Sequence, residues 1–395
     1  MDGRMRSLVA RMSRAVREIV VIDGETAYIP DPVFGIVRNR VHAEVAKMLL
    51  RTGGDPLTEP LLNYIANCQN PDGSWNEIHV NYNQPSALIT AFIGDALLEA
   101  ADRYPREEAL EKARNCVIAA ERRPGCFLKS AQYTADHLNV DASCGAFLAR
   151  YAERYDDRIA RAAAMRAAEN VVGHQRGDGV YPYAVDRGTY PYVFDLPCLH
   201  YQGVTIYYLA KANDVLKEGW IRESLKAGVR WLAAALCPGG RFDWSRSGLS
   251  FAYHLSGAYA FAYASFIHAS RGNGHYRMHA GLCLDRLEEI LRGDLLLRWE
   301  PGSWGSLLPS IAEAARMASI GEYPAQHRAF RFGYAVYRQA ARRRYSEIAG
   351  ARSFKVLCQL LGIQSSTVEP SKNFPDLFMT SEVLDCLSQA GVWGN

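Results

Sequence analysis

Apolar and small residues recur along most of this chain in long helical patterns that come in pairs. PSALITAFIGDALLEAADRY, VDASCGAFLARYAERY, GVTIYYLAKANDVL and FAYHLSGAYAFAYASFIHAS are apolar or small on nearly every side. The segments that follow them, REEALEKARNCVIAAERR, DRIARAAAMRAAENVVGHQ, GWIRESLKAGVRWLAAAL and HYRMHAGLCLDRLEEILR, carry an apolar stripe with charges on the other face. A helix that is apolar all round is buried, and one with a stripe lies at a surface. Each pair therefore predicts an inner and an outer helix. Alternating patterns are short and rare, and only EIVVIDGETAYIP near the start reads as a small hairpin.

A glycine turn precedes each pair. Gly73 in NPDGSW, Gly125 in ERRPGCFL, Gly179 in QRGDGVYPY, Gly240 in CPGGRFDW and Gly293 in LRGDLLLRW follow one another at 52, 54, 61 and 53 residues, each with an aromatic residue close behind. Hairpins that cannot bury both faces alone must stack on their neighbours, so a period of this length predicts a repeat architecture. About six or seven hairpins of roughly 53 residues fit between residue 36 and the C-terminus. The fold class expected is all-α: an α/α toroid, or (α/α)6-type barrel, over residues 36–395, preceded by an N-terminal helix and extension over 1–35. Later segments, including PAQHRAFRFGYAVYRQAARRRY and FPDLFMTSEVLDCLSQAG, would complete the ring. Inner helices should begin near residues 84, 140, 200 and 250 with their N-termini at one end, so that the loops after the glycines line one cavity.

The residues gathered in those loops are polar and aromatic. The first loop holds Trp75, Glu77, His79, Asn81, Tyr82 and Gln84, and the second holds Tyr133, His137 and Asn139. The third holds Asp195, His200, Tyr201 and Gln202, and the fourth holds Arg241, Asp243, Trp244, Arg246, Tyr253 and His254. Glu300 and Trp304 follow Gly293. Aromatic faces stack on pyranose rings and amides satisfy hydroxyls, so the set predicts a sugar-binding pocket. Bland roles compete: Trp75 closes its turn against the outer helix, Asp141 caps a helix, Tyr207 and Tyr208 pack, and His254 is a satisfied buried histidine. His137, His200 and His254 nevertheless recur at corresponding places in successive repeats.

Composition narrows the class. A formal net charge of +3 over 395 residues gives no reason to expect nucleic-acid binding. The nine cysteines are dispersed without a C-x-x-C pair, which predicts neither a disulfide framework nor a zinc site. No metal or other cofactor is expected, and a reducing cytoplasm is the simplest compartment. No uninterrupted apolar run suggests a membrane span or a secretory leader. Met5, Leu8, Val9, Met12, Val16 and Ile19 recur at helical spacing beside Arg4, Arg11, Arg14 and Arg17. That stripe suits a packed terminal helix or weak contact with a membrane surface.

QNPDGSW resembles the turn motif of squalene-cyclase and prenyltransferase toroids. GHQRGDGVYPY followed by DLPCLHYQGVTIYYLAKANDVL is more similar to the (α/α)6 barrels of glucuronyl C5-epimerases, polysaccharide lyases and unsaturated-glucuronide hydrolases. The resemblance spans about residues 36–320 and implies the architecture more than the reaction. The first functional expectation is an enzyme on an acidic poly- or oligosaccharide that abstracts a proton, as a uronate lyase or C5-epimerase does. His200, Tyr201, His137, His254 and Tyr253 would supply acid and base, and Arg241 and Arg246 would hold the anion. The alternative is a glycoside hydrolase using paired carboxylates, with Glu77, Asp136, Asp195, Asp243 and Glu300 as candidates. A terpenoid cyclase is disfavoured by the absence of a D-x-D-D motif, and a non-catalytic glycan-binding toroid is the remaining alternative. The partner expected is a glycan or other small molecule.

Overall fold

The structure is a computed structural model and describes residues 3–31, 35–79, 82–189, 193–243, 246–247, 254–271, 274–291 and 377–394. Its helices are α1 (Gly3–Glu18), α2 (Asn39–Arg51), α3 (Thr58–Asn67), α4 (Ala87–Ala100), α5 (Glu107–Ala119) and α6 (Leu138–Tyr155). They continue with α7 (Arg158–Gly173), α8 (Leu199–Leu216), α9 (Gly219–Ala235), α10 (His254–Ala269), α11 (Arg277–Ile290) and α12 (Leu377–Trp393). Helices α2, α4, α6, α8, α10 and α12 pack side by side in that order, and α12 returns to α2, which closes a ring. Helices α3, α5, α7, α9 and α11 each pack outside the inner helix that precedes them. The chain is an α/α toroid, as the paired patterns predict. The inner helices start at Ala87, Leu138, Leu199 and His254, close to the expected positions.

Helix α1 lies against α12 and so occupies an outer place in the ring. Its stripe of Met5, Leu8, Val9, Met12 and Val16 is buried. Arg4 donates to Asp285 and Glu288 of α11 at 2.5 and 2.6 Å. The face that also suited a membrane surface is thus covered by protein. Among the described residues no helix is long and apolar enough to cross a membrane.

The glycine repeat has a packing cause. Gly73, Gly125 and Gly179 have φ of +85°, +75° and +91°. A Cβ there would stand 2.4, 2.1 and 2.4 Å from the carbonyl oxygens of Lys112, Arg166 and Ala227, in the outer helices α5, α7 and α9 of the next pair. Only glycine tolerates both the left-handed backbone and that approach. The aromatic residue behind each glycine is then fastened to the inner helix that follows. The backbone N–H groups of Trp75, Phe127, Tyr181 and Phe242 donate to Thr90, Asp141, Gln202 and Tyr259 at 3.0, 2.7, 2.8 and 3.0 Å. The Trp75 indole donates to Ile65 O at 2.7 Å, so this ring closes the turn against α3.

Three short antiparallel hairpins complete the described structure. Strands β1 (Val21–Asp23) and β2 (Thr26–Tyr28) form the one expected near the start. Strands β3 (Trp75–His79) and β4 (Tyr82–Ser86) form a second, and β5 (Glu121–Arg123) with β6 (Cys126–Phe127) a third.

Candidate active site at the ring mouth

Contacts between inner helices join turns of equal depth. Arg40 in the first turn of α2 lies over the Phe378 ring in the first turn of α12, 4.6 Å from its centroid. Ser381 in the second turn of α12 donates to Glu44 at 2.6 Å, and Lys47 in the third turn of α2 reaches Asp385 at 2.8 Å. The N-termini therefore share one end, and the first turns form the mouth of the ring.

The crowded stretch at 75–86 is one wall of that mouth, and it is a hairpin rather than a loop. Glu77 pairs with Gln84 and His79 with Tyr82 in the β3–β4 register. Period-two alternation puts these four on one face. On the other face Asn70 donates to Asn76 and Asn76 to Asn83, each at 2.8 Å, so two amides of this stretch brace the hairpin. On the inner face Tyr82 Oη donates to Glu77 Oε1 at 2.9 Å, and Lys129 Nζ lies 3.0 Å from the same oxygen. Burial would raise the Glu77 carboxyl, but Lys129 and His79 outweigh it and hold the pKa below the ordinary value.

Aromatic rings continue the wall on both sides. His79 lies 5.8 Å from Phe378 and 4.7 Å from Tyr82, and Tyr82 lies 5.8 Å from Tyr133. A second arc runs from His137 to Tyr183 at 5.0 Å, from Tyr183 to Tyr201 at 4.6 Å, and from Tyr201 to His200 at 5.0 Å. The histidines are poor bases here. Burial, reinforced by nearby cations, pushes His79 down to about 4 and His137 and His200 to about 3. They are neutral at pH 7, and their conjugate acids are too strong to form readily.

One turn inside the mouth, two carboxyl groups share one guanidinium. Arg40 Nε donates to Glu44 Oε1 at 2.6 Å, and Arg40 also donates to Glu382 Oε2. Burial raises both carboxyls, Asp385 adds to the rise in each, and Glu44 is pushed up to about 7. One positive charge does not neutralise two buried carboxylates, so the pair retains a proton near neutral pH. Glu382 Oε1 has no hydrogen-bond partner among the described residues and lies 3.8 Å from His200 Nε2. Gly257 makes room for this approach, since a Cβ there would fall 2.3 Å from Glu382 Oε1 and 2.5 Å from the His200 ring.

Below this pair, among the described residues, four cations surround three carboxylates. Lys47 contacts Asp385 and Asp95 at 2.8 and 3.4 Å, and Lys211 contacts Asp95 at 2.5 Å. Arg51 donates to both oxygens of Glu99 at 2.5 and 2.7 Å and to Asp385 at 2.7 Å. Arg150 also holds Asp95. Burial would raise Asp95, Glu99 and Asp385, yet these cations hold all three below the ordinary carboxylate range.

Of the residues chosen from sequence, the structure brings Glu77, His79, Tyr82, Tyr133, His137, His200 and Tyr201 to the mouth. Gln84 donates to Gln132 at the surface at 3.1 Å. Asn139 is buried in the first turn of α6, and Asp195 is exposed. The Gln202 side chain is fully committed to its turn, donating to Gly179 O at 3.0 Å while accepting from Tyr181 N. Arg241 pairs with Glu289 of the outer helix α11 at 3.8 Å, and Arg246 pairs with Asp243 at 3.6 Å. Asn81, Trp244, Tyr253, Glu300, Trp304 and the His254 side chain lie outside the described residues. Asp141 lies within α6 rather than at its cap. With Cys126 and Asp136 it offers ligand atoms within 4.8 Å of one another, the one group among the described residues that could hold a metal. Its oxygens already serve Phe127 N–H and Asn170, and those of Asp136 serve Arg123 and Asn170. These carboxyls fasten a turn.

Sequence reasoning missed Arg40, Glu44, Phe378 and Glu382. Their signal is a charged stripe inside apolar helices. Arg40, Glu44, Lys47 and Arg51 follow at helical spacing in NRVHAEVAKMLLR, as do Glu382 and Asp385 in LFMTSEVLDCLSQAG.

No family model and no curated protein matches the sequence. Solved structures do resemble it. The type II terpene cyclase MstE from Scytonema shares 12% identity over 99% of each chain, with a TM-score of 0.56. Unsaturated glucuronyl hydrolase from Bacillus sp. GL1 shares 12% over 75% of this chain and 88% of its own, also at 0.56. A sugar epimerase from a ruminal bacterium shares 14% over 73% of this chain and 87% of its own, at 0.56. At such identities the likeness establishes the α/α-toroid fold, which glycan-processing enzymes and a terpene cyclase have in common.

Proposed function

We propose that this toroid is a glycan-processing enzyme of the hydrolase type, with the Glu44/Glu382 pair as its proton donor. The observation that carries the reading is a buried carboxyl pair, short of one positive charge, at the base of an aromatic mouth. A carboxylic acid with its pKa raised toward neutrality suits general acid catalysis near pH 7. In such a reaction the protonated member gives its proton to the glycosidic oxygen as the bond to the anomeric carbon breaks. Water adds to that carbon, and its proton returns to the ionised pair. Arg40 keeps one member ionised, and the tyrosines offer stacking faces to the sugar. Abstraction of a C5 proton by His200 has weaker support, because a histidine pushed down to about 3 is a poor base. An acidic substrate also has weaker support. Arg38, Arg40 and Lys129 at the mouth each already face a carboxylate, in Asp31, the glutamate pair and Glu77.

A second reading is terpenoid cyclisation, favoured by the same buried acid beneath aromatic rings. The test is to incubate the protein with neutral and uronic oligosaccharides and with geranylgeranyl-bearing aromatics, and to analyse products by mass spectrometry. Release of new reducing ends, lost in Glu382→Gln, is expected. Cyclised isoprenoid without glycan cleavage would transfer the site to the second reading.

A further inference from the structure

Glu77 does more than hold the hairpin. It is 8% exposed, and its two oxygens differ sharply. Oε1 accepts from Tyr82 Oη and Lys129 Nζ, and His79 Nε2 stands 3.8 Å away. Oε2 is buried on the same inner face with no hydrogen-bond partner among the described residues. A buried carboxylate oxygen without a donor is costly to leave so. At the mouth of the ring such an oxygen is useful, because a ligand there can supply the donor. The surroundings say which donor. Lys129 Nζ lies 3.0 Å from the carboxylate and 4.6 Å from the Tyr133 ring centroid, so a second ammonium would meet like charge. A ligand carboxylate would meet Glu77 itself. A neutral hydroxyl suffers neither repulsion, and the rings of Tyr82 and Tyr133 offer apolar faces beside it.

From this geometry we infer a neutral-sugar subsite on the β3–β4 wall, in which a pyranose lies against Tyr82 and Tyr133 and donates a hydroxyl to Glu77 Oε2. The inference rests on the glycan reading and names the substrate part that this wall takes. The low pKa of Glu77 agrees, since an ionised carboxylate is the stronger acceptor.

The test reads binding instead of turnover, so it is separable from the hydrolase reading. Cellobiose, xylobiose, the disaccharide of glucosamine and a glucuronate-terminated disaccharide are titrated into Glu382→Gln protein by calorimetry. At least one neutral disaccharide should bind, and both charged ones should bind more weakly. Adding Glu77→Gln should weaken the neutral ligand at least tenfold. If that variant does not fold, Tyr133→Ala on the half-buried ring serves instead, with the same tenfold loss expected. Failure of both neutral disaccharides to bind, equal affinity in the folded variants, or tighter binding of a charged sugar would each overturn the subsite. Binding without cleavage by the unmodified protein would leave the subsite standing and remove the hydrolase.

Discussion

Helices α2 and α12 carry buried charge at two levels of the ring. At the upper level the single guanidinium of Arg40 serves Glu44 and Glu382, and one carboxyl oxygen has no hydrogen-bond partner among the described residues. At the lower level Lys47, Arg51, Arg150 and Lys211 surround Asp95, Glu99 and Asp385. Asp95 and Asp385 below are held low and Glu44 and Glu382 above are raised, although all four are fully buried. Burial alone therefore does not mark a reactive group. The ratio of opposite charges around it does, because each unmatched carboxylate either holds a proton or pays desolvation uncompensated.

The largest effect should come from unbalancing the lower level. Asp95→Asn leaves Lys47, Lys211 and Arg150 facing a neutral amide. Breaking a buried ion pair by removing one partner costs about 3–5 kcal/mol. Urea unfolding should show a loss of that size, while turnover per folded molecule stays within about threefold. An unchanged midpoint would mean that the two levels do not differ as described.

The complementary change at the upper level should spare the fold. Glu382→Gln keeps the shape and removes a carboxyl that burial already disfavours. Turnover should fall about a hundredfold or more, the scale of a lost general acid, with little change in melting temperature. In the unmodified protein activity should decline as pH rises through about 7, where Glu44 of the pair loses its proton. Activity that instead increased through that range would assign the pair to base chemistry.

Much of this molecule is written in local pattern. The glycine spacing, the all-apolar inner helices and the striped outer ones predict the toroid, because each hairpin must bury both faces. Part of the aromatic wall is also readable, since Glu77, His79 and Tyr82 crowd the stretch behind the Gly73 turn, but that stretch reads as a loop and its shared face comes from the β3–β4 pairing. The acid pair is not readable in that way. Glu44 and Glu382 are 338 positions apart and meet only when α12 closes on α2. Gln202 shows the converse. It sits beside Tyr201 in the chain, but a helix turns about 100° per residue, and that rotation points it at the Gly179 turn instead of the mouth.

A smaller effect concerns buried histidine away from the mouth. His42 Nε2 accepts from Ile29 N–H at 2.9 Å, and its Nδ1–H donates to Arg38 O at 2.9 Å, which fixes the neutral tautomer. Burial pushes its pKa down to about 4. The unfolded chain takes up this proton below about pH 6.5, whereas the folded protein resists it until about pH 4, so stability is full above 6.5 and falls as pH drops. Lowering the pH from 7 to 4.5 should cost about 2 kcal/mol through this residue. Denaturant titrations at the two pH values should show a correspondingly smaller drop in His42→Gln. Equal drops would place the acid sensitivity in His137 and His200 at the mouth.

The smallest effect should come from the cations outside the ring. Arg241 was a natural candidate for an anionic substrate, yet its side chain is half exposed and its partner Glu289 belongs to an outer helix at 3.8 Å. An exposed pair of that length is worth about 0–1 kcal/mol. Arg241→Ala and Arg246→Ala should therefore leave melting temperature nearly unchanged and alter KM by less than about twofold, because among the described residues their carboxylate partners are Glu289 and Asp243 rather than a group of the mouth. Arg40→Met, which removes the shared guanidinium, should by contrast abolish turnover. A rise in KM for uronic oligosaccharides in Arg241→Ala, with neutral ones unaffected, would restore an anion site on the fourth loop and break the distinction between charge inside and outside the ring.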